Sequence, residues 1–181
     1  MDQQDYITIN QKPYKIIKLL GKGKGGYSYL VTNGKTEYVC KQIHHEPCSY
    51  YTFGNKLEAE LRDYQKLKDL GIPLPTLLEV DDTTERLLKD YIDGPMVYTL
   101  VLEERMQETY ITQMQNLCAV LYAAGLNIDY FPTNFIVQND QLVYIDYECN
   151  AYMEEWNFEN WGIQYWSKTK AFLQYVKEHT S

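Results

Sequence analysis

The 181-residue chain has few histidines, no C-x-x-C pair, no long apolar run and a deficit of basic charge, and each shortage removes a class of function. The three histidines (His44, His45, His179) and four cysteines (Cys40, Cys48, Cys118, Cys149) do not make a structural zinc pattern. The cysteines read as reduced, mostly buried thiols of a cytosolic protein. No apolar stretch approaches the roughly 20 residues needed to cross a bilayer, so no membrane partner is expected. The opening Met1-Asp2-Gln3-Gln4-Asp5 has no basic patch leading into an apolar stretch; no secretory leader is expected, and the expected localisation is cytoplasmic. Seventeen basic against 25 acidic residues give a net charge of −8, which speaks against a nucleic-acid partner.

What is present is a 45% apolar chain, 14% of its residues aromatic, enough for a core in one domain or in two small lobes around one cleft. Charge is unevenly spread: residues 1–45 carry seven lysines against Asp2, Asp5 and Glu37, a balance of +4, and the remainder holds −12. The first third alternates in the β manner through Tyr6–Ile9, Tyr14–Leu20, Tyr27–Thr32 and Thr36–Ile43, with a hairpin expected at Asn33-Gly34. Leu57, Leu61, Tyr64, Leu67 and Leu70 recur at helical spacing, predicting a helix over 55–70 that Gly71 ends. Two short strands (76–80 and 86–91), helices over 96–104 and 107–124, a strand pair around the Gln138–Gln141 turn and a last helix over about 160–178 complete the reading. The expected fold class is α+β, with a sheet-rich front and a helix-rich back.

Gly21, Gly23 and Gly26 form G-x-G-x-x-G, a pattern shared by several phosphate loops. A Walker loop fails because Tyr27 stands where the lysine is needed. A dinucleotide fingerprint fails because a strand, not a helix, follows, and Lys41 lies where an acid is wanted. The remaining option is a glycine-rich hairpin whose backbone N–H groups approach ATP phosphates. Lys41, among apolar neighbours in Tyr38-Val39-Cys40-Lys41, suits a second phosphate contact. Its partner carboxylate would come from the next helix: Glu60 is preferred from its place relative to Gly71-Ile72-Pro73, and Glu58 is the alternative.

Further on, Asp129-Tyr130-Phe131-Pro132-Thr133-Asn134 is a D-x-x-x-x-N segment running into Phe135-Ile136-Val137, and Val143-Tyr144-Ile145-Asp146 ends a second short strand on an acid. Phosphoryl transfer uses such a set: Asp129 to orient or deprotonate the attacking hydroxyl, Asn134 and Asp146 to hold Mg²⁺. Each residue taken singly is also a good turn former.

Together, "LGKGKGGYSYLV", "YVCK", "DYFPTNFIV" and "YIDYE" resemble the glycine loop, lysine strand, catalytic loop and metal motif of the protein-kinase-like superfamily, over about residues 14–165. "LGIPLPTLLEV" and the short length are similar to minimal kinases of the RIO type and of the tRNA threonylcarbamoyl complex; "DYFPTN" and "IDYECNAYMEEWNFEN" resemble choline kinases and aminoglycoside phosphotransferases. The resemblance implies a bilobal fold with a sheet-rich N-lobe (1–94) and a reduced helical C-lobe (95–181), ATP and Mg²⁺ as cofactors, and backbone groups of Asp90 and Ile92 in "LLKDYIDG" on adenine. Asn127 and Ile128 replace the usual histidine and arginine, Phe131 the usual lysine, Glu148 a glycine and Ser28 a valine, which leaves the acceptor class open. Fewer than 40 residues follow Asp146, so no full activation segment is expected. The function expected is γ-phosphate transfer to a protein Ser/Thr hydroxyl. The alternatives are a small-molecule kinase, with the aromatic run Tyr144, Tyr147, Tyr152, Trp156, Trp161, Tyr165 and Trp166 framing a cation, and a nucleotide-binding pseudokinase.

Overall fold

A computed structural model describes residues 5–23, 25–45 and 55–180. Cys48 and Lys24 lie outside the described residues. The chain is mixed α+β and divides into two compact units, Met1–Arg62 with Pro75–Tyr91, and Asp63–Leu74 with Ile92–Ser181.

The first unit is built on an antiparallel sheet. Its strands are β1 (Tyr6–Ile9), β2 (Lys12–Lys22), β3 (Gly26–Thr32), β4 (Glu37–Ile43), β5 (Leu77–Asp81) and β6 (Arg86–Asp90), in the order β1-β2-β3-β4-β6-β5. Two-residue alternation assigns the faces. Cys40 and Leu88 pack with Ile7, Ile9, Tyr14 and Val31 on one side, and Ile43 and Leu87 with Leu57 on the other. Tight two-residue connections lie at Asn10-Gln11 and, in the second unit, at Asn139-Asp140, all four residues at positive φ. At Asn33-Gly34 the hairpin expected from sequence forms with a four-residue loop, since Thr32 pairs Glu37. There the Asn33 carboxamide oxygen accepts the N–H groups of Lys35 and Thr36. Helix α1 (Lys56–Asp69) starts after Asn55, whose side chain accepts the Glu58 N–H, and contributes residues up to Arg62 to this unit.

The second unit takes the rest of α1, then α2 (Val97–Leu102), α3 (Glu108–Ala123), β7 (Leu126–Asn127), β8 (Phe135–Gln138), β9 (Gln141–Tyr144), β10 (Asn150–Ala151) and α4 (Lys170–His179). β8 pairs β9, and β10 returns to pair β7. Leu67, Val97, Met114, Leu121, Phe135, Phe158, Trp166 and Phe172 meet in one core. The helix expected over 160–178 is not continuous: Gly162–Tyr165 is a 3₁₀ turn, and α4 begins only at Lys170. Packing explains the break. A side chain at Gly162 would lie 2.6 Å from Tyr130 Cβ, and the Trp166 indole N–H turns inward to donate to the Tyr130 carbonyl at 2.7 Å. Thr169 then caps the new helix by accepting the Phe172 N–H. Among the described residues no helix is long and apolar enough to cross a membrane.

Cys40, Cys118 and Cys149 are free and buried. Burial pushes the Cys40 thiol up to about 12, and those of Cys118 and Cys149 up to about 11, from an ordinary value near 9. The folded state therefore holds these protons more tightly than the unfolded chain. Their contribution is complete below pH 9 and is lost as pH rises from 9 through 11 to 12. The urea midpoint is expected to fall progressively between pH 9 and 11; a flat profile would contradict the buried thiols.

Candidate functional site

In the first unit the glycines close the β2–β3 hairpin: Lys22 pairs Tyr27, and the Gly23 N–H donates to the Gly26 carbonyl at 2.9 Å. Gly26 is required by packing, because a Cβ there would sit 2.3 Å from the Gln42 carbonyl oxygen of β4. Gly21 and Gly23 are not: among the described residues a Cβ at Gly21 meets nothing within 4 Å, and one at Gly23 meets only the Gly26 oxygen at 4.0 Å. Gly26→Ala is accordingly expected to cost about 1–3 kcal/mol by forcing β3 off β4. Gly21→Ala should cost well under about 1 kcal/mol. Urea denaturation of both variants checks the contrast.

Lys41 shares its strand face with Val39 and Ile43, the face on which Leu57 of α1 packs. Glu60, one turn after Leu57, projects from the same side of α1, whereas Glu58 is exposed. Lys41 Nζ donates to Glu60 Oε1 at 2.6 Å, with side chains only 16% and 8% exposed. The same Nζ lies 3.8 Å from the position a Gly25 Cβ would take, so the ammonium stands beside the glycine turn. His44, which the sequence reading passed over, fastens that turn. Its N–H donates to the Gly25 carbonyl, its ring Nε2 is 2.9 Å from the Gly23 oxygen, and its ring meets Tyr27 at 5.1 Å. The buried Lys56 ammonium in turn donates to the His44 carbonyl at 2.6 Å. Asp90 ends β6 with its N–H already given to Thr76, which removes that N–H as an adenine donor. Ile92 belongs to the second unit and is half-buried.

In the second unit Asn127 does internal work: its amide donates to the Met153 carbonyl, and its oxygen accepts the Tyr130 hydroxyl. Asp129 follows, its Oδ1 accepting the Phe131 N–H at 3.1 Å in an Asx turn. The chain then winds through Pro132–Asn134 into β8. Asn134 donates from its side chain to the Asp129 carbonyl and accepts the Ile145 N–H at 2.9 Å on its own carbonyl. That second bond extends the β8–β9 pairing by one step past Phe135 and Tyr144, so Asn134 and Asp146 both lie at the open end of one hairpin. Asp146 Oδ1 accepts the Tyr147 N–H at 2.8 Å. Asp63 accepts the Cys149 N–H, and the Tyr64 ring packs on Tyr147 at 4.4 Å, holding the segment after Asp146.

The set at this hairpin is an amide oxygen and a carboxylate, hard donors of the kind Mg²⁺ takes one or two at a time, the remaining positions going to phosphate oxygens and water. Among the described residues no group of three or more His, Cys, Asp or Glu forms a metal cage. Burial first, then the charges of Asp146, Glu148 and Asp129, hold Tyr144 protonated far above the usual phenol range.

The aromatic run expected to frame a cation is divided: Tyr144, Tyr147 and Trp166 are buried, Trp161 and Tyr165 are half-buried against the core, and Tyr152 and Trp156 are exposed. Tyr165 of that run joins two aromatics from outside it near Asp129, where Phe131, whose N–H the Asp129 carboxylate accepts, meets Tyr165 at 5.1 Å and Tyr175 at 4.6 Å. No family model matches the chain, and no curated protein matches it.

Proposed function

We propose that the chain is an ATP-dependent phosphotransferase with the bilobal protein-kinase-like fold, transferring the γ-phosphate to a hydroxyl, that of a protein serine or threonine first. The observation that carries this reading is the enclosed Lys41–Glu60 pair beside a glycine turn whose Gly23 packing does not require. The glycine turn would let the backbone approach the triphosphate closely, the Gly23 N–H being already given to the Gly26 carbonyl, and Lys41, oriented by Glu60, would hold its oxygens. Asn134 and Asp146 would hold Mg²⁺, which supplies charge neutralisation at the phosphates. Asp129 would accept the acceptor's proton as the hydroxyl oxygen bonds to the γ-phosphorus and the bond from that phosphorus to the β–γ bridging oxygen breaks, releasing ADP.

Phe131 and its two tyrosine neighbours favour, as a second reading, a small cationic alcohol resting on aromatic faces in place of a protein side chain. The test is thermal stabilisation by Mg-ATP paired with transfer of labelled γ-phosphate to protein substrates and to a panel of amino alcohols and aminoglycosides. Stabilisation with transfer is expected. Stabilisation with no transfer to any acceptor would mark a nucleotide-binding pseudokinase, and no stabilisation would end the nucleotide reading.

A further inference from the structure

Tyr144 is the last residue of β9, fully buried, its ring packed on Phe135 at 5.1 Å and its N–H given to the Pro73 carbonyl. A phenol in such a place needs partners for its hydroxyl, and here both come from backbone. The Tyr144 oxygen accepts the Asp129 N–H at 3.3 Å, and its hydroxyl donates to the Glu148 carbonyl at 2.9 Å. Neither partner lies in a strand or helix. Asp129 falls between β7 and the turn at Pro132, and Glu148 between β9 and β10. Strand pairing joins the two loops only at their ends, Asn127 with Asn150 where β7 meets β10 and Asn134 with Ile145 one step beyond β8–β9, and Asp129 and Glu148 lie between those pairs. One oxygen atom spans them.

We infer that the Tyr144 hydroxyl is a positioning group that fixes the loop of Asp129 against the loop of Asp146–Glu148, setting the distance between the candidate base and the candidate metal ligand. The inference rests on the phosphotransferase reading. The hydroxyl touches neither substrate nor metal in this role; it acts through Asp129 and Asp146, as groups outside a metal's own ligand set commonly do.

The test is Tyr144→Phe, which removes one oxygen and keeps the ring. Nucleotide binding without Mg²⁺ is expected to be unchanged. The Mg²⁺ concentration giving half-maximal stabilisation by ATP should rise about 10-fold or more, and kcat should fall by about the same factor at unchanged KM for ATP. Met114→Ala, a truncation in the same core, serves as the comparison for general loss of stability. A wild-type chain that does not respond to Mg-ATP removes the phosphotransferase reading itself. A responsive wild type with Tyr144→Phe unchanged in Mg²⁺ dependence and rate removes only this inference, as does Met114→Ala producing the same Mg²⁺ shift. Should Tyr144→Phe not fold, amide hydrogen exchange in the wild-type chain decides. The Asp129 amide is expected to be protected at least about 10-fold by its bond to the phenol; exchange at the rate of an open loop would overturn the strut.

Discussion

Asp129→Ala is expected to leave Mg-ATP binding within about twofold of wild type while phosphotransfer falls by about 10²- to 10⁴-fold, the usual span for loss of a positioned general base. The separation follows from what Asp129 touches. Its carboxylate turns its own loop, accepting the Phe131 N–H, and the bond that ties Asn134 to it comes to its backbone carbonyl, which alanine retains. The Asn134–Ile145 bond beside Asp146 is likewise backbone and survives. The candidate metal ligands should therefore keep their places, and only the proton acceptor is lost. Labelled-phosphate transfer at saturating ATP, alongside thermal shift with Mg-ATP, checks both halves. Transfer retained in the variant would remove Asp129 from the chemistry.

What could be read from the sequence was what depends on local period. Alternation along Tyr38-Val39-Cys40-Lys41 puts Cys40 and Lys41 on opposite faces, and the place of Glu60 relative to Gly71-Ile72-Pro73 singles it out in the sequence, whereas the side of α1 it shares with Leu57 is a finding of the structure. The D-x-x-x-x-N spacing and the Asn139-Asp140 turn brought Asn134 to the end of the hairpin that also carries Asp146. What escaped depends on partners distant in sequence. The aromatic residues from Trp161 to Trp166 have helical composition, yet the contact of Gly162 with Tyr130 and the inward indole of Trp166 interrupt the helix there. His44 had no signal beyond being a polar residue at a strand end, because its partners are backbone atoms of the glycine turn. Tyr144 did leave a trace. A phenol inside Leu142-Val143-Tyr144-Ile145, two residues before Asp146, is a polar group on an apolar strand, and such a group needs a partner from elsewhere in the fold.

Lys41→Met should have two effects that a second substitution can pull apart. Removing the ammonium leaves Glu60, 8% exposed, without its 2.6 Å partner. Breaking an enclosed ion pair from one side costs about 3–5 kcal/mol, and the lower end applies here because Lys41 keeps some contact with water. Replacing Glu60 as well, in Lys41→Met/Glu60→Leu, removes the stranded charge, and an apolar pair of similar volume is often neutral for stability. The double variant should therefore unfold close to the wild-type midpoint in urea. Nucleotide binding should not recover with it. A charge-assisted hydrogen bond contributes about 1.5–3 kcal/mol, so Mg-ATP affinity should stay on the order of 10- to 100-fold weaker in both variants. This pattern, stability restored and affinity not, is what a lysine kept for phosphate predicts. A lysine present only to neutralise Glu60 would give the opposite result: the double variant would recover stability and bind Mg-ATP as tightly as wild type, and the glycine turn beside Lys41 would then need another explanation.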